Sequence, residues 1–175
     1  MDFDVVASTE SPGGDDAHNS ADAVRYIQVM QERGMAQARA GDCQALNTLD
    51  ELAAMAARNE IPWFWAIAVE AKARALAILG DLDGAIVVAA HAASAYHSAH
   101  DPQSAAIIQR FAAQALIAQG RFKPAVKILR TVERNARNDH RTRDAAAFEL
   151  ADCLDRLGQK RRAAAARARA GNAQR

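Results

Sequence analysis

The sequence predicts an all-α fold: a right-handed α-α superhelix (solenoid) of about four antiparallel helix pairs behind a disordered N-terminal tail. Three observations predict it. About a quarter of the 175 residues are alanine and only nine are aromatic, which suits closely packed helices better than strands rich in β-branched and aromatic side chains. One phrase recurs around Gly41, Gly80, Gly120 and Gly158, at spacings of 39, 40 and 38 residues. Helix-start signals between these glycines cut the chain into segments of similar length, the mark of an internal repeat. At 175 residues with half its residues apolar, the chain can bury one sizeable core.

Residues 1–20 hold five acids, no Lys or Arg, and clustered Ser, Pro and Gly. Such a segment buries too little apolar surface to offset its ordering entropy, so a flexible acidic tail is expected. Its "SPGGDD" lacks the Lys and Ser/Thr of a phosphate-binding loop and reads as linker. From Ser20, a candidate N-cap, the pattern turns helical, and residues 21–175 form the repeat domain in units of about 21–59, 60–100, 101–140 and 141–175. Asn59 or Glu60 precedes "IPWFW", Asp101 precedes Pro102, and Asp139 or Thr142 serves the last unit. Proline suits a first helical turn, whose N–H groups lack partners anyway.

Within each unit the columns have a mechanical meaning. Seven residues before each glycine stands a very small residue, Gly34, Ala73, Ala113 or Ala151, which lets the next helix approach closely. Four before stand Gln37, Leu76, Leu116 and Leu154; two after, at the bend, Cys43, Leu82, Phe122 and Lys160; five after, where the pair converges, Leu46, Ala85, Ala125 and Ala163. The glycine supplies the left-handed conformation that ends a helix cheaply. Each unit therefore reads as a helical hairpin.

These columns, with the turns "GDLDGA" and "GRFKPA", resemble the tetratricopeptide repeat family over about residues 22–175, most closely in the second and third units. The first unit departs at Gln37 and Leu46, and the fourth at Lys160 and at Arg167, where a bulky apolar residue is usual. The period exceeds the family's 34 by about one helical turn shared between two helices. In that it is similar to the longer-helix variants of bacterial transcriptional regulators and motor light chains. The resemblance implies a concave groove, lined by the first helix of each hairpin, that accepts a peptide of a partner protein. Carried over column by column, the groove would present Gln31, Met35 and Arg39; Glu70, Arg74 and Ile78; Arg110, Gln114 and Ile117; and Phe148, Asp152 and Asp155. Arg74 and Arg110 would bind carboxylates of the partner, and Ile117 and Phe148 would supply apolar pockets.

The remaining features weigh against chemistry. His97 and His100 are three apart, yet lie at an expected helix end without further ligands, so no metal is expected. Asp152 and Asp155 read as a solvated helix face, no nucleophile has a base in a known local motif, and the expectation is a non-enzyme with no cofactor. Cys43 and Cys153, both embedded in apolar patterns, read as core residues of a reduced, cytoplasmic protein. No stretch approaches the ~20 apolar residues of a membrane span. Trp63, Phe64 and Trp65 read either as packing between the first two units or as an aromatic anchor for a peptide.

Charge is uneven. Residues 1–120 carry 7 Lys/Arg against 15 Asp/Glu, a net of −8, and residues 121–175 carry 15 against 6, a net of +9. This is either an uneven solvated surface or a means of steering acidic partners. The last helix, with Arg161, Arg162, Arg167, Arg169 and Arg175 among alanines, reads first as a capping helix; without interleaved aromatics, nucleic acid or membrane is the weaker partner. The expected role is a non-enzymatic adaptor or chaperone binding another protein or peptide. The alternative is a regulatory sensor or self-associating protein controlling transcription or assembly.

Overall fold

The structure, a computed structural model, describes residues 14–135 and 137–172. Eight helices lie among them: α1 (Gly14–Arg39), α2 (Gln44–Arg58), α3 (Pro62–Ile78), α4 (Leu82–Ser98), α5 (Pro102–Ala118), α6 (Phe122–Arg134), α7 (His140–Arg156) and α8 (Lys160–Asn172). Each packs on the next, and odd-numbered helices also meet across repeat boundaries, α1 with α3 and α5 with α7. The result is an α-α solenoid of four hairpins. Residues 1–13 of the expected tail, and Arg175, lie outside the described residues.

The hinges are built alike. Gly41, Gly80, Gly120 and Gly158 have φ of 75°, 91°, 70° and 74°. At each, the following residue donates its N–H to the carbonyl five residues back: Asp42 to Gln37 (2.9 Å), Asp81 to Leu76 (2.9 Å), Arg121 to Leu116 (2.8 Å) and Gln159 to Leu154 (2.8 Å). This left-handed closure satisfies carbonyls that a helix end leaves unpaired. The links between hairpins use the same closure without glycine: Glu60 (φ 54°) and His100 (φ 59°) are left-handed, and Ile61 and Asp101 donate back to Ala56 and Tyr96.

Four expectations are corrected. Helix α1 begins at Gly14, not after Ser20, because extending a formed helix adds a hydrogen bond for every residue fixed. Asn59 and Glu60 do not cap α3: its N-cap is Ile61, while Asn59 ends α2 with its amide on the Met55 carbonyl (2.8 Å). Cys43 is exposed as the N-cap of α2, outside the face that Ala45 and Leu49 turn to the core; only Cys153 is core. In the first unit this seat lies four residues after the glycine, not five, so Ala45 (0% exposed), not Leu46, takes the place of Ala85, Ala125 and Ala163. The polar Gln37 of the first unit is matched by Thr48 of α2, whose hydroxyl donates to it at 2.8 Å.

Asp101 and Asp139 cap α5 and α7, accepting the N–H of Ser104 (2.9 Å) and Thr142 (2.7 Å). Burial pushes the Asp101 carboxyl up, but hydrogen bonds from Ser104 and Trp63 outweigh it and leave it below the ordinary range. At Asp139 the Thr142 N–H is the main cause of a lowered value. Both caps therefore stabilise the fold above the ordinary aspartate range and lose that contribution as pH falls through their lowered folded values.

The core runs the length of the solenoid. Ile27, Met30, Leu49 and Leu52 fill the first hairpin; Ala73, Ala92 and Ile108 lie between the second and third; Leu129, Val132, Leu150 and Leu154 fill the last. Burial pushes the Cys153 thiol up to about 11, so it remains protonated and inert at neutral pH.

Candidate interaction face

Odd-numbered helices meet across two of the repeat boundaries, α1 with α3 and α5 with α7, so they stand side by side along one side of the solenoid. All twelve residues expected in the groove lie on α1, α3, α5 and α7. On α1, Gln31, Met35 and Arg39 line one surface cleft of about 420 Å³. Between α5 and α7, Gln114, Ile117 and Asp152 line another of about 560 Å³, with Phe122, Glu149 and Arg156.

The two arginines expected to receive partner carboxylates are already neutralised within the chain. Arg74 pairs with Glu70 one turn away at 2.7 Å, and its guanidinium lies 5.1 Å from the centre of the Phe111 ring. The other Glu70 oxygen accepts the Tyr96 hydroxyl at 2.6 Å. Burial, then this carboxylate, pushes the Tyr96 phenol far above its ordinary value. Arg110 forks onto Glu149 of the next hairpin at 2.7 and 3.3 Å, and Gln114 donates to the same carboxylate at 2.7 Å. A partner's carboxylate would therefore meet guanidiniums whose charge Glu70 and Glu149 already balance. Asp152 and Asp155 are occupied as well, by Arg167 of α8 at 3.1 and 2.5 Å. Hydrogen bonding to Asp155, then Asp152, raises the Arg167 value further above its ordinary one. The arginine that departs from the bulky apolar pattern thus fastens the last helix to α7.

Among the exposed residues of α3, α5 and α7 are four large apolar side chains. Trp63, Ile78, Ile107 and Phe148 are 40–46% exposed, one or two on each of α3, α5 and α7. Of the aromatic trio, Phe64 and Trp65 pack against separate core clusters. Trp63 lies at the repeat junction, its indole N–H 3.4 Å from the Asp101 cap. One repeat on, Gln103 takes the matching place: its amide donates to Thr142 at 2.8 Å and also to Asp139, and its oxygen accepts the Asp139 N–H at 3.0 Å. Ile107 was legible as one turn before Arg110 on the same stripe. Glu149 and Tyr96 were not, since their partners stand 39 and 26 residues away.

Among the described residues, no group of three or more His, Cys, Asp or Glu is placed to hold a metal ion. None of the described helices is long and apolar enough to cross a membrane.

No family model matches the sequence. No curated protein matches it either. Two crystal structures described as nearly identical TPR-like repeats of a Podosopora anserina kinesin light chain, one of them a point variant, are similar to it at 18% identity and a TM-score of 0.36. The match covers 85% of this chain and 95% and 94% of theirs. The fold itself rests on the chain's own geometry: four left-handed glycine hinges, antiparallel pairs and buried small-residue columns make it a helical-hairpin repeat solenoid of long period.

Proposed function

We propose that the chain is a non-enzymatic protein-interaction module, an adaptor or chaperone whose inner face holds a peptide segment of a partner. The observation that supports this reading is the row of exposed apolar side chains, Trp63, Ile78, Ile107 and Phe148, standing beside ion pairs that satisfy themselves. Fully burying one such side chain against a partner contributes roughly 1.5–3 kcal/mol, whereas self-paired charges add little net attraction. The reading therefore assigns affinity to apolar anchors of the partner. Gln31, Met35 and Arg39 at one end, and Gln114 and Ile117 at the other, form the polar and apolar rim around them. Arg74 and Arg110 then position the groove instead of gripping carboxylates. The two free cysteines suit a reducing, cytoplasmic setting.

Affinity capture with quantitative mass spectrometry tests this, comparing wild type, Trp63→Ala/Phe148→Ala and Arg74→Ala/Arg110→Ala. The expected result is a specific protein whose recovery falls about tenfold or more in the apolar double variant, the effect of losing roughly 1.4 kcal/mol or more. A protein recovered equally by wild type and the apolar variant, or no specific protein at all, contradicts the reading.

A further inference from the structure

Two clefts framed by even-numbered helices occupy corresponding places one repeat apart. Helices α4 and α6 flank α5 and leave a cleft of about 400 Å³ whose lining includes Ala90, Ser94, Ala112 and Thr131. One repeat on, α6 and α8 flank α7 and leave a cleft of about 230 Å³ lined by Arg130, Arg134, Arg162 and Arg169 over Leu150 and Leu154. The positions correspond in register. Ala90 and Arg130 each stand ten residues after their hinge glycine, Ser94 and Arg134 fourteen, and Thr131 and Arg169 eleven. The same architecture thus carries small neutral residues in the middle of the solenoid and guanidiniums at its end.

Four guanidiniums from two helices converge there with no carboxylate in the lining. Glu133, buried at the side, is tied to Arg169. Arg162 is steadied by the Gln159 side-chain oxygen at 3.0 Å. Among the described residues Arg130, Arg134 and Arg162 have no ion-pair partner, and Arg130 is half-buried. Gathering like charges is unfavourable unless an anion joins them. Planar guanidinium forks match the oxygens of a phosphate group, and charge-assisted hydrogen bonds in a partly desolvated cleft are the strong ones. No aromatic side chain lines the cleft to stack a base. The exposed side of α8 offers alanine in place of bulky apolar groups for lipid.

We propose that this cleft is an oxyanion site that takes a phosphate group. Free phosphates and a phosphorylated side chain share the chemistry, and titration calorimetry separates them. The full chain is titrated with pyrophosphate, with a phosphoserine peptide and with the same peptide bearing serine, at constant ionic strength. Wild type is expected to bind pyrophosphate, the phosphopeptide or both, and to ignore the serine peptide. Arg130→Gln/Arg162→Gln should weaken that binding by about tenfold or more. Lys123→Gln/Lys127→Gln, which removes the same charge from the exposed side of α6, should retain it, and circular dichroism should show both variants folded. Binding of neither phosphate probe at about 1 mM overturns the proposal. So does equal weakening in the two double variants, which would mean diffuse attraction to the basic end.

Discussion

Leu150→Ala is expected to lower the unfolding free energy by about 2–5 kcal/mol, read from urea denaturation with circular dichroism. Leu150 is 1% exposed at the centre of α7, in one cluster with Leu129, Val132, Leu154, Ala163 and Ala166. Its alanine neighbours have no side-chain reach with which to fill the space a truncated leucine leaves. The loss therefore combines the transfer of buried methyl groups with an uncollapsed cavity between α6, α7 and α8. Phe148, two residues away on the same helix, is 46% exposed. Phe148→Ala should cost under about 1 kcal/mol, because surface substitutions away from packed features usually lie within a few tenths. A loss at Phe148 that equals or exceeds the loss at Leu150 would mean that the two faces of α7 are misassigned.

Gly34→Val should destabilise the first hairpin by about 1–3 kcal/mol, the usual effect of overpacking. A Cβ at Gly34 would stand 2.7 Å from Leu49 Cγ and 2.8 Å from Leu49 Cδ2, with Leu49 itself completely buried. The leucine cannot retreat without opening the α1–α2 contact. Leu49→Ala in the same chain should restore part of the loss, so that the double variant is more stable than the sum of the two singles predicts. Strict additivity would show that the clash lies elsewhere. The hinge glycines are required for a different reason. No atom lies within 4 Å of a Cβ built on Gly80, whose φ of 91° is the feature that side chains resist.

The two kinds of glycine were legible in the sequence because repetition supplies its own comparison. A small residue seven before a glycine, seen once, is unremarkable; seen in four units it marks a helix contact. The same comparison failed where a unit changed length. Between Gly41 and the α2 contact stands one residue fewer than in the other units, so Ala45 replaced Leu46 at the contact and Cys43 came to the surface. Periodicity tells which residues share a face, but a single-residue slip rotates the face. Caps were legible where an aspartate accepts a nearby N–H, as at Asp101 and Asp139, and missed at Ile61, where backbone closure through Glu60 replaces a side-chain cap.

The proposed groove positions all fall on odd-numbered helices, yet the long-range pairing of their charged members was not legible. Arg110 finds Glu149, and Glu70 finds Tyr96, only when hairpins stack or pair. From sequence alone Arg110 reads as unspent charge for a partner. The basic C-terminal segment was legible as composition, but its gathering into a cleft depends on the register of α6 against α8.

In-register stacking makes the four hairpins one continuous solenoid. Its most direct test is an isotope-edited nuclear Overhauser experiment on the full chain, read at the repeat junctions. Contacts are predicted from the Trp63 indole N–H to the Asp101–Ser104 turn, and from the Gln103 side-chain amide to Thr142, whose side chains meet at 2.8 Å across 39 residues of sequence. Helical chemical shifts throughout but no cross-peak at either junction would contradict the account, leaving hairpins that fold without stacking.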